Sequence, residues 1–156
     1  MTNREKFVIR KANLNDLEVI KKLADTHKRE LGFILRPALA RSIELGELMV
    51  AIVNLEVVGF IQYHHRQDTQ TTLHNLLIKA DYRGNGIGKR LMQALENEVM
   101  SQNKQILSLK CPEELPANDF YARLGYQQVN IESGKQRRLN IWQKTIKRPD
   151  FNNALC

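Results

Sequence analysis

The 156-residue sequence has 24 Lys and Arg against 17 Asp and Glu, a net charge of +7 with neutral histidines, and is 42 % hydrophobic and 26 % charged. That is the composition of one ordinary folded domain, which excludes disordered and fibrous classes, and apolar runs as short as Leu76-Leu77-Ile78 fall far below the roughly 20 residues of a membrane-spanning helix. Two cysteines, Cys111 and Cys156, are too few for a disulfide framework, and residues 1–10 lack the apolar stretch of a secretory signal, so a cytoplasmic protein without membrane partners is expected.

Taken in chain order, residues 7–10 read as a short strand. Asn15 and Glu18 have capping-box spacing, and Leu17, Ile20, Ala24, His27 and Leu31 recur at helical steps, so one helix is predicted as far as Gly32. A second helix is predicted over residues 37–45. Residues 48–53 and 56–64 then form a hairpin around Asn54-Leu55-Glu56, and the strand at 71–78 is central, its Leu76-Leu77-Ile78 apolar on successive residues. Ile87, Leu91, Ala94, Leu95 and Val99 mark a helix to about residue 102, and residues 105–110 a fifth strand. A short helix over residues 117–124 stops at Gly125. Residues 126–146 hold two more strands joined near Ser133-Gly134. The expected fold is α+β with a mixed sheet, a single domain over residues 1–148 followed by a short tail, 149–156.

The charge falls in two windows. Residues 135–148 carry Lys135, Arg137, Arg138, Lys144, Lys147 and Arg148 and no acid, for +6; residues 79–90 carry Lys79, Arg83, Lys89 and Arg90 against Asp81, for +3, together with three glycines. Arg83-Gly84-Asn85-Gly86-Ile87-Gly88 lies between a strand and a helix, where glycines permit a tight turn and the first helical N–H groups face outward as anion donors. The Lys-Ser/Thr pair of a P-loop is absent, because Lys89-Arg90 follows Gly88, and the acidic ribose ligand of a dinucleotide site is also missing. A pyrophosphate on the loop satisfies the chemistry that remains.

The stretch from Leu76 through Asp81-Tyr82-Arg83 to Leu91 resembles the acyl-CoA-binding motif of the GNAT N-acyltransferase superfamily, Gln/Arg-x-x-Gly-x-Gly/Ala, at Arg83, Gly86 and Gly88. Asn118-Asp119-Phe120-Tyr121-Ala122-Arg123-Leu124-Gly125-Tyr126 is similar to that family's second signature, Phe-Tyr-x-x-x-Gly-Phe/Tyr. Ala80 stands where the family usually has proline. The resemblance implies a twisted mixed sheet of six to seven strands, splayed between the fourth and fifth and flanked by about four helices, with acetyl-CoA as cosubstrate in the gap. It further implies that backbone N–H groups of Gly84, Asn85, Gly86, Ile87, Gly88 and Lys89 hold the pyrophosphate. Backbone groups of Leu76, Leu77 and Ile78 would pair with the pantetheine arm, and Asn118 would meet the cofactor from the far side.

Transfer to an amine needs a proton acceptor for the nucleophile and a donor for the thiolate. The resemblance places Tyr121 as the acid, against a reading in which it only packs. Many relatives carry a glutamate where this chain has His74, which strand alternation puts on the face of Leu76 and Ile78. A neutral imidazole can accept the proton directly or through water; a structural histidine with water as base is the alternative. His64 and His65 are the next candidates, as bases or substrate contacts. None of the histidines has a cysteine at ligand spacing, so no metal site is expected. Cys111 reads as buried packing, with ping-pong transfer the weaker alternative.

The reaction so implied is N-acetylation of a primary amine on a small molecule or peptide in a ternary complex. A non-catalytic acyl-CoA-binding regulatory module, or acetylation of an RNA-linked or protein amine, is the alternative. Nucleic-acid binding through residues 135–148 and Trp142 is a third reading, without a motif to accompany it. Residues 28–41 shape the acceptor site in this family, and Arg36 with the loop at 135–138 hints at an anionic group on the acceptor. Homodimers are common in the family.

Overall fold

The computed structural model describes residues 6–147; the predicted tail, Cys156 and Arg148 lie outside the described residues. Strand β1 (Phe7–Lys11) pairs antiparallel with β2 (Leu48–Val53), and β2 with β3 (Glu56–His65). Strand β4 is Gln70–Ile78, β5 Ile106–Pro112, β6 Gln127–Ser133 and β7 Arg138–Thr145. The sheet has seven strands in the order β1-β2-β3-β4-β5-β7-β6 and is mixed, as expected, with β4 in its centre. Five helices accompany it: α1 (Leu17–Thr26), α2 (Lys28–Leu31), α3 (Arg36–Glu44), α4 (Ile87–Ser101) and α5 (Ala117–Arg123). No helix among the described residues is long and apolar enough to cross a membrane.

The described residues form two compact units, residues 6–64 with 73–95, and residues 65–72 with 96–147. In the first, Ile20, Leu23 and Ala24 of α1 and Leu39 and Ile43 of α3 bury against Leu48, Val50, Phe60 and Leu77 of the sheet. These are the apolar positions of helical period, and truncating one so deeply buried typically costs about 2–5 kcal/mol. Beside this core a polar chain crosses the strands, in which Asn75 Nδ2 donates to Gln62 Oε1 at 2.8 Å and Gln62 Nε2 to Ser42 Oγ at 2.9 Å.

Two local features depart from the expectation. The reciprocal cap joins Asn13 and Asp16 instead of Asn15 and Glu18, because a 3-10 turn, Leu14–Asp16, precedes α1. Asp16 accepts from the Asn13 N–H at 2.8 Å and from the Arg10 guanidinium at 2.7 and 3.0 Å, and the Arg10 contact is the main reason its carboxyl stays below the usual carboxylate range. The single helix expected up to Gly32 breaks at His27. Thr26 Oγ1 donates to the Leu23 carbonyl at 2.9 Å and His27 Nδ1 lies 2.9 Å from the same oxygen, so side chains take the place of the backbone ladder there. The predicted four helices become five for this reason.

In the second unit β7 lies between β5 and β6, antiparallel to both. Leu107, Leu109 and Cys111 are buried at alternate positions of β5, while β6 is exposed along its whole length. Tyr126 and Trp142 complete the buried face.

The β2–β3 hairpin turns on Asn54 and Leu55, at φ +47° and +66°, the left-handed pair that a two-residue turn of primed type requires. Leu55 is almost wholly exposed and gains no burial in return. Leu55→Gly is therefore expected to stabilise the protein by about 0.5–1 kcal/mol in urea unfolding. At Gly59 the geometry is the reverse, since a Cβ there would lie 2.7 Å from the Leu77 carbonyl oxygen and 2.8 Å from Ile78 Cδ1. Gly59→Ala is expected to cost about 1–3 kcal/mol in the same measurement.

Candidate active site

In the first unit, β4 runs out at Ile78 into a short 3-10 turn, Ala80–Tyr82, and the chain re-enters regular structure at Ile87, the first residue of α4. Gly84 and Gly86 between them have φ of +82° and +81°, with nothing within 4 Å of where their Cβ atoms would be. Two left-handed residues let the chain leave a strand and start a helix within a few residues, and they keep the space above the turn open. The first internal bond at this helix end runs from Arg90 N to Gly86 O, at 3.1 Å. By helix geometry the N–H groups before it have no carbonyl four residues back, so the exposed loop presents donors at the positive end of a 15-residue helix.

The cations of this window divide. Lys79 pairs with Glu56, and Arg83 donates through Nε to the Ile78 carbonyl at 2.9 Å and stands 3.5 Å from Glu30, so both are used to hold the turn. Lys89 and Arg90 are exposed beyond it, with Arg90 over the Phe7 ring. Asn85 Nδ2 bonds the Tyr82 carbonyl at 3.2 Å. Along β4, Leu76 and Ile78 are half-buried and Leu77 is buried. The face that His74 shares with Leu76 and Ile78 thus remains partly open on a central strand.

The histidines take different places. His74 is exposed, and its pKa is lowered, first by the cost of removing water from the charged ring and next by the nearby His64, with Glu47 opposing. This favours the neutral ring. His64 Nδ1 lies 2.8 Å from Glu47 Oε1; the carboxylate is 8 % exposed and the imidazole 52 %. In the second unit His65 is partly buried, with Nδ1 2.7 Å from Thr71 Oγ1 and Nε2 3.9 Å from Glu98. Sequence reading missed Glu47. Its signal was a carboxylate directly ahead of the wholly apolar Leu48–Val53 run, a position where an acid is buried only when it has partners.

Also in the second unit, Tyr121 of α5 is buried, edge-on to Phe120 and Tyr126 with ring centroids 5.3 and 6.0 Å away. Burial drives its phenol pKa well above the ordinary value, and the proton is held. Cys111 is pushed up to about 11 by burial, so the thiolate that ping-pong transfer needs is not formed near neutral pH. Asn118 is engaged within the protein. Its Nδ2 donates to the carbonyls of Pro112 and Leu115 at 2.9 and 2.7 Å, and its Oδ1 accepts from Asn140 and from the Trp142 indole at 3.0 and 2.9 Å. The side chain ties the loop after β5 to β7.

Half of the +6 run meets an acid when folded. Arg137 pairs with Glu114, Arg138 stands 3.7 Å from Glu113, and Lys144 bridges Glu96 at 2.7 Å while donating to the Leu124 carbonyl at 2.9 Å. Lys110 on β5 reaches across β7 to Glu132 on β6. A run that is all basic in sequence is thus interleaved in space with acids from elsewhere in the chain. Arg36 is likewise committed, to both carboxylate oxygens of Glu18 at 2.9 and 3.1 Å.

The family model for the acetyltransferase (GNAT) domain matches residues 21–141. No curated sequence matches the chain. Among solved structures the fold is similar to Ard1 from Thermoplasma volcanium, with a TM-score of 0.82 at 20 % identity over 91 % of this chain and 99 % of that one. It is also similar to the ribosomal-protein-S18-alanine N-acetyltransferase from Escherichia coli, at TM-score 0.76 and 19 % identity over 94 % and 98 % of the two chains. The PaiA N-acetyltransferase from Thermoplasma acidophilum, solved in complex with coenzyme A, gives 0.77 and 18 % over 90 % and 99 %. With a glycine turn at the head of α4, a tyrosine held protonated on α5 and a family match spanning most of its length, the chain belongs to the GNAT acetyltransferases.

Proposed function

We propose that the protein transfers the acetyl group of acetyl-CoA to a primary amine on a small molecule or peptide, with both substrates bound at once. The observation that carries this reading is the loop at residues 84–89, where two left-handed glycines leave the start of α4 open and its donors unobstructed. A pyrophosphate fits there, met by backbone N–H groups and by the helix dipole, with Lys89 and Arg90 as the exposed cations of the same turn. The coenzyme A bound in the PaiA and aminoglycoside 6'-N-acetyltransferase structures supports the choice of cosubstrate.

When bound, acetyl-CoA supplies an activated acyl carbon and a thiolate leaving group. The chain's own residues do the rest. Backbone groups of Leu76, Leu77 and Ile78 pair with the arm that carries the thioester, and an N–H on that strand favours the oxygen that becomes negative as the amine adds. His74, neutral because its charged form is poorly hydrated, accepts a proton from the amine. Tyr121 donates to the sulfur. Its raised pKa lies above the ordinary thiol value of about 8.5, so its contribution is a hydrogen bond that strengthens as charge grows on sulfur, with proton release completed through water. Asn118 acts on the site by holding the loop ahead of α5.

Structurally similar enzymes act on a ribosomal-protein alanine and on aminoglycosides, so the acceptor is set outside the shared machinery. The pairing of Arg36 with Glu18 and of Arg137, Arg138 and Lys144 with Glu114, Glu113 and Glu96 takes four cations away from an anionic acceptor or a nucleic-acid partner.

Thiol release from acetyl-CoA, measured against a panel of amines, amino acids, polyamines and peptides, is expected to show turnover with at least one acceptor. Tight coenzyme A binding with no turnover on any amine would make the protein a regulatory module instead. Tyr121→Phe is expected to lower kcat about 10²-fold while leaving coenzyme A affinity unchanged; unchanged kcat would remove Tyr121 from the chemistry. Gly86→Val, which puts a β-branched residue at φ +81°, is expected to weaken coenzyme A binding at least tenfold by calorimetry.

A further inference from the structure

We propose that His64, held by Glu47, is a second proton acceptor for the incoming amine, so that the base of this enzyme is a carboxylate–imidazole pair working beside His74. The inference rests on the acetyltransferase reading above and names a residue pair that the reading does not require.

The geometry is that of an oriented base. Glu47 stands at the head of β2, its carboxylate almost fully buried, and its backbone oxygen accepts from Tyr63 N at 3.1 Å, which fixes it against β3. Its Oε1 is 2.8 Å from His64 Nδ1. A carboxylate can only accept, so Nδ1 must carry the hydrogen, and the lone pair of the neutral ring is then on Nε2. His64 is half exposed, so the acceptor nitrogen is on the solvent side of a buried anion. This is the tautomer that a general base needs, and burial of the carboxylate keeps the ring from rotating away.

The pair is also in the right neighbourhood. His64 and Glu47 both act electrostatically on His74, and His74 precedes Leu76 by two residues on one strand face, about 7 Å at the rise of a β-strand. Leu76 opens the backbone segment assigned to the thioester arm. In the proposed step an ammonium proton moves to His64 Nε2, the nitrogen lone pair so freed forms the C–N bond and the C–S bond breaks. The resulting imidazolium is balanced by Glu47 and later loses its proton to water; the second proton, lost to His74 as the amide forms, balances the one taken up by sulfur. Glu47 touches no reacting atom and is a positioning residue.

Two measurements on the full chain decide this. Long-range ¹⁵N–¹H spectra of ¹⁵N-histidine-labelled protein, with His64 assigned through His64→Gln, are expected to show the Nδ1–H tautomer at His64 and its partial loss in Glu47→Gln. An Nε2–H tautomer in the unaltered protein overturns the proposal without reference to activity. With an amine found active in the thiol-release panel, His64→Ala is expected to lose about 10²-fold in kcat/KM near pH 7 and Glu47→Gln about tenfold. The loss in His64→Ala is expected to shrink as the pH approaches the amine's own pKa, which a merely structural defect would not do; wild-type kcat/KM in His64→Ala across that range overturns the proposal. The two readings separate cleanly: an active wild type with an indifferent His64→Ala sinks only the base assignment, whereas a wild type that turns over no amine sinks the acetyltransferase reading and the base assignment with it.

Discussion

The turn from β4 into α4 is the constraint on which the function of this chain rests. A strand and a helix joined by so few residues need backbone conformations that side chains resist, and Gly84 and Gly86 supply them at φ +82° and +81°. The same substitution-intolerant geometry leaves the helix start uncovered, so conformational necessity and the proposed anion recognition have one cause. Arg83 and Lys79 are spent on fixing this turn through the Ile78 carbonyl, Glu30 and Glu56, which leaves the outward charge to Lys89 and Arg90.

Charge pairing governs the rest of the surface in the same way. The net charge is +7, yet half of the densest basic run is met by Glu96, Glu113 and Glu114, none of them within it. Exposed pairs of this kind contribute at most about 1 kcal/mol each to stability. Their weight here is in what they remove from the surface, a basic stripe that would otherwise attract polyanions.

Much of this was legible in sequence because it was local. The glycine loop, the Val- and Ile-rich hairpin strands and the Phe120-Tyr121 signature each occupy a few consecutive residues whose chemistry dictates their conformation. The strand Leu48–Val53 was placed to the residue, and the helix from Ile87 to within a residue of its end. What failed locally failed through competition from side chains: the helix break at His27 comes from Thr26 and His27 taking one carbonyl, and the cap moved to Asn13 with the 3-10 turn ahead of α1, whose Asp16 also holds Arg10. What could not be read was long-range. Glu47 and His64 are 17 positions apart, Asn118 and Trp142 are 24, and Arg36 finds Glu18 across 18. No periodicity encodes such pairs; they exist because strand register and helix packing bring them together.

The acid and the base of the proposed reaction stand in two different ionisable environments. Tyr121 is enclosed and keeps its proton, while His74 is disfavoured in its charged form and stays free to take one. Both assignments presuppose that the loop at residues 84–89 holds the phosphates of coenzyme A. Amide hydrogen exchange with and without coenzyme A tests that claim most directly. The account predicts that the amides of residues 84–89 slow markedly on binding; exchange there that is unchanged by saturating coenzyme A would contradict it.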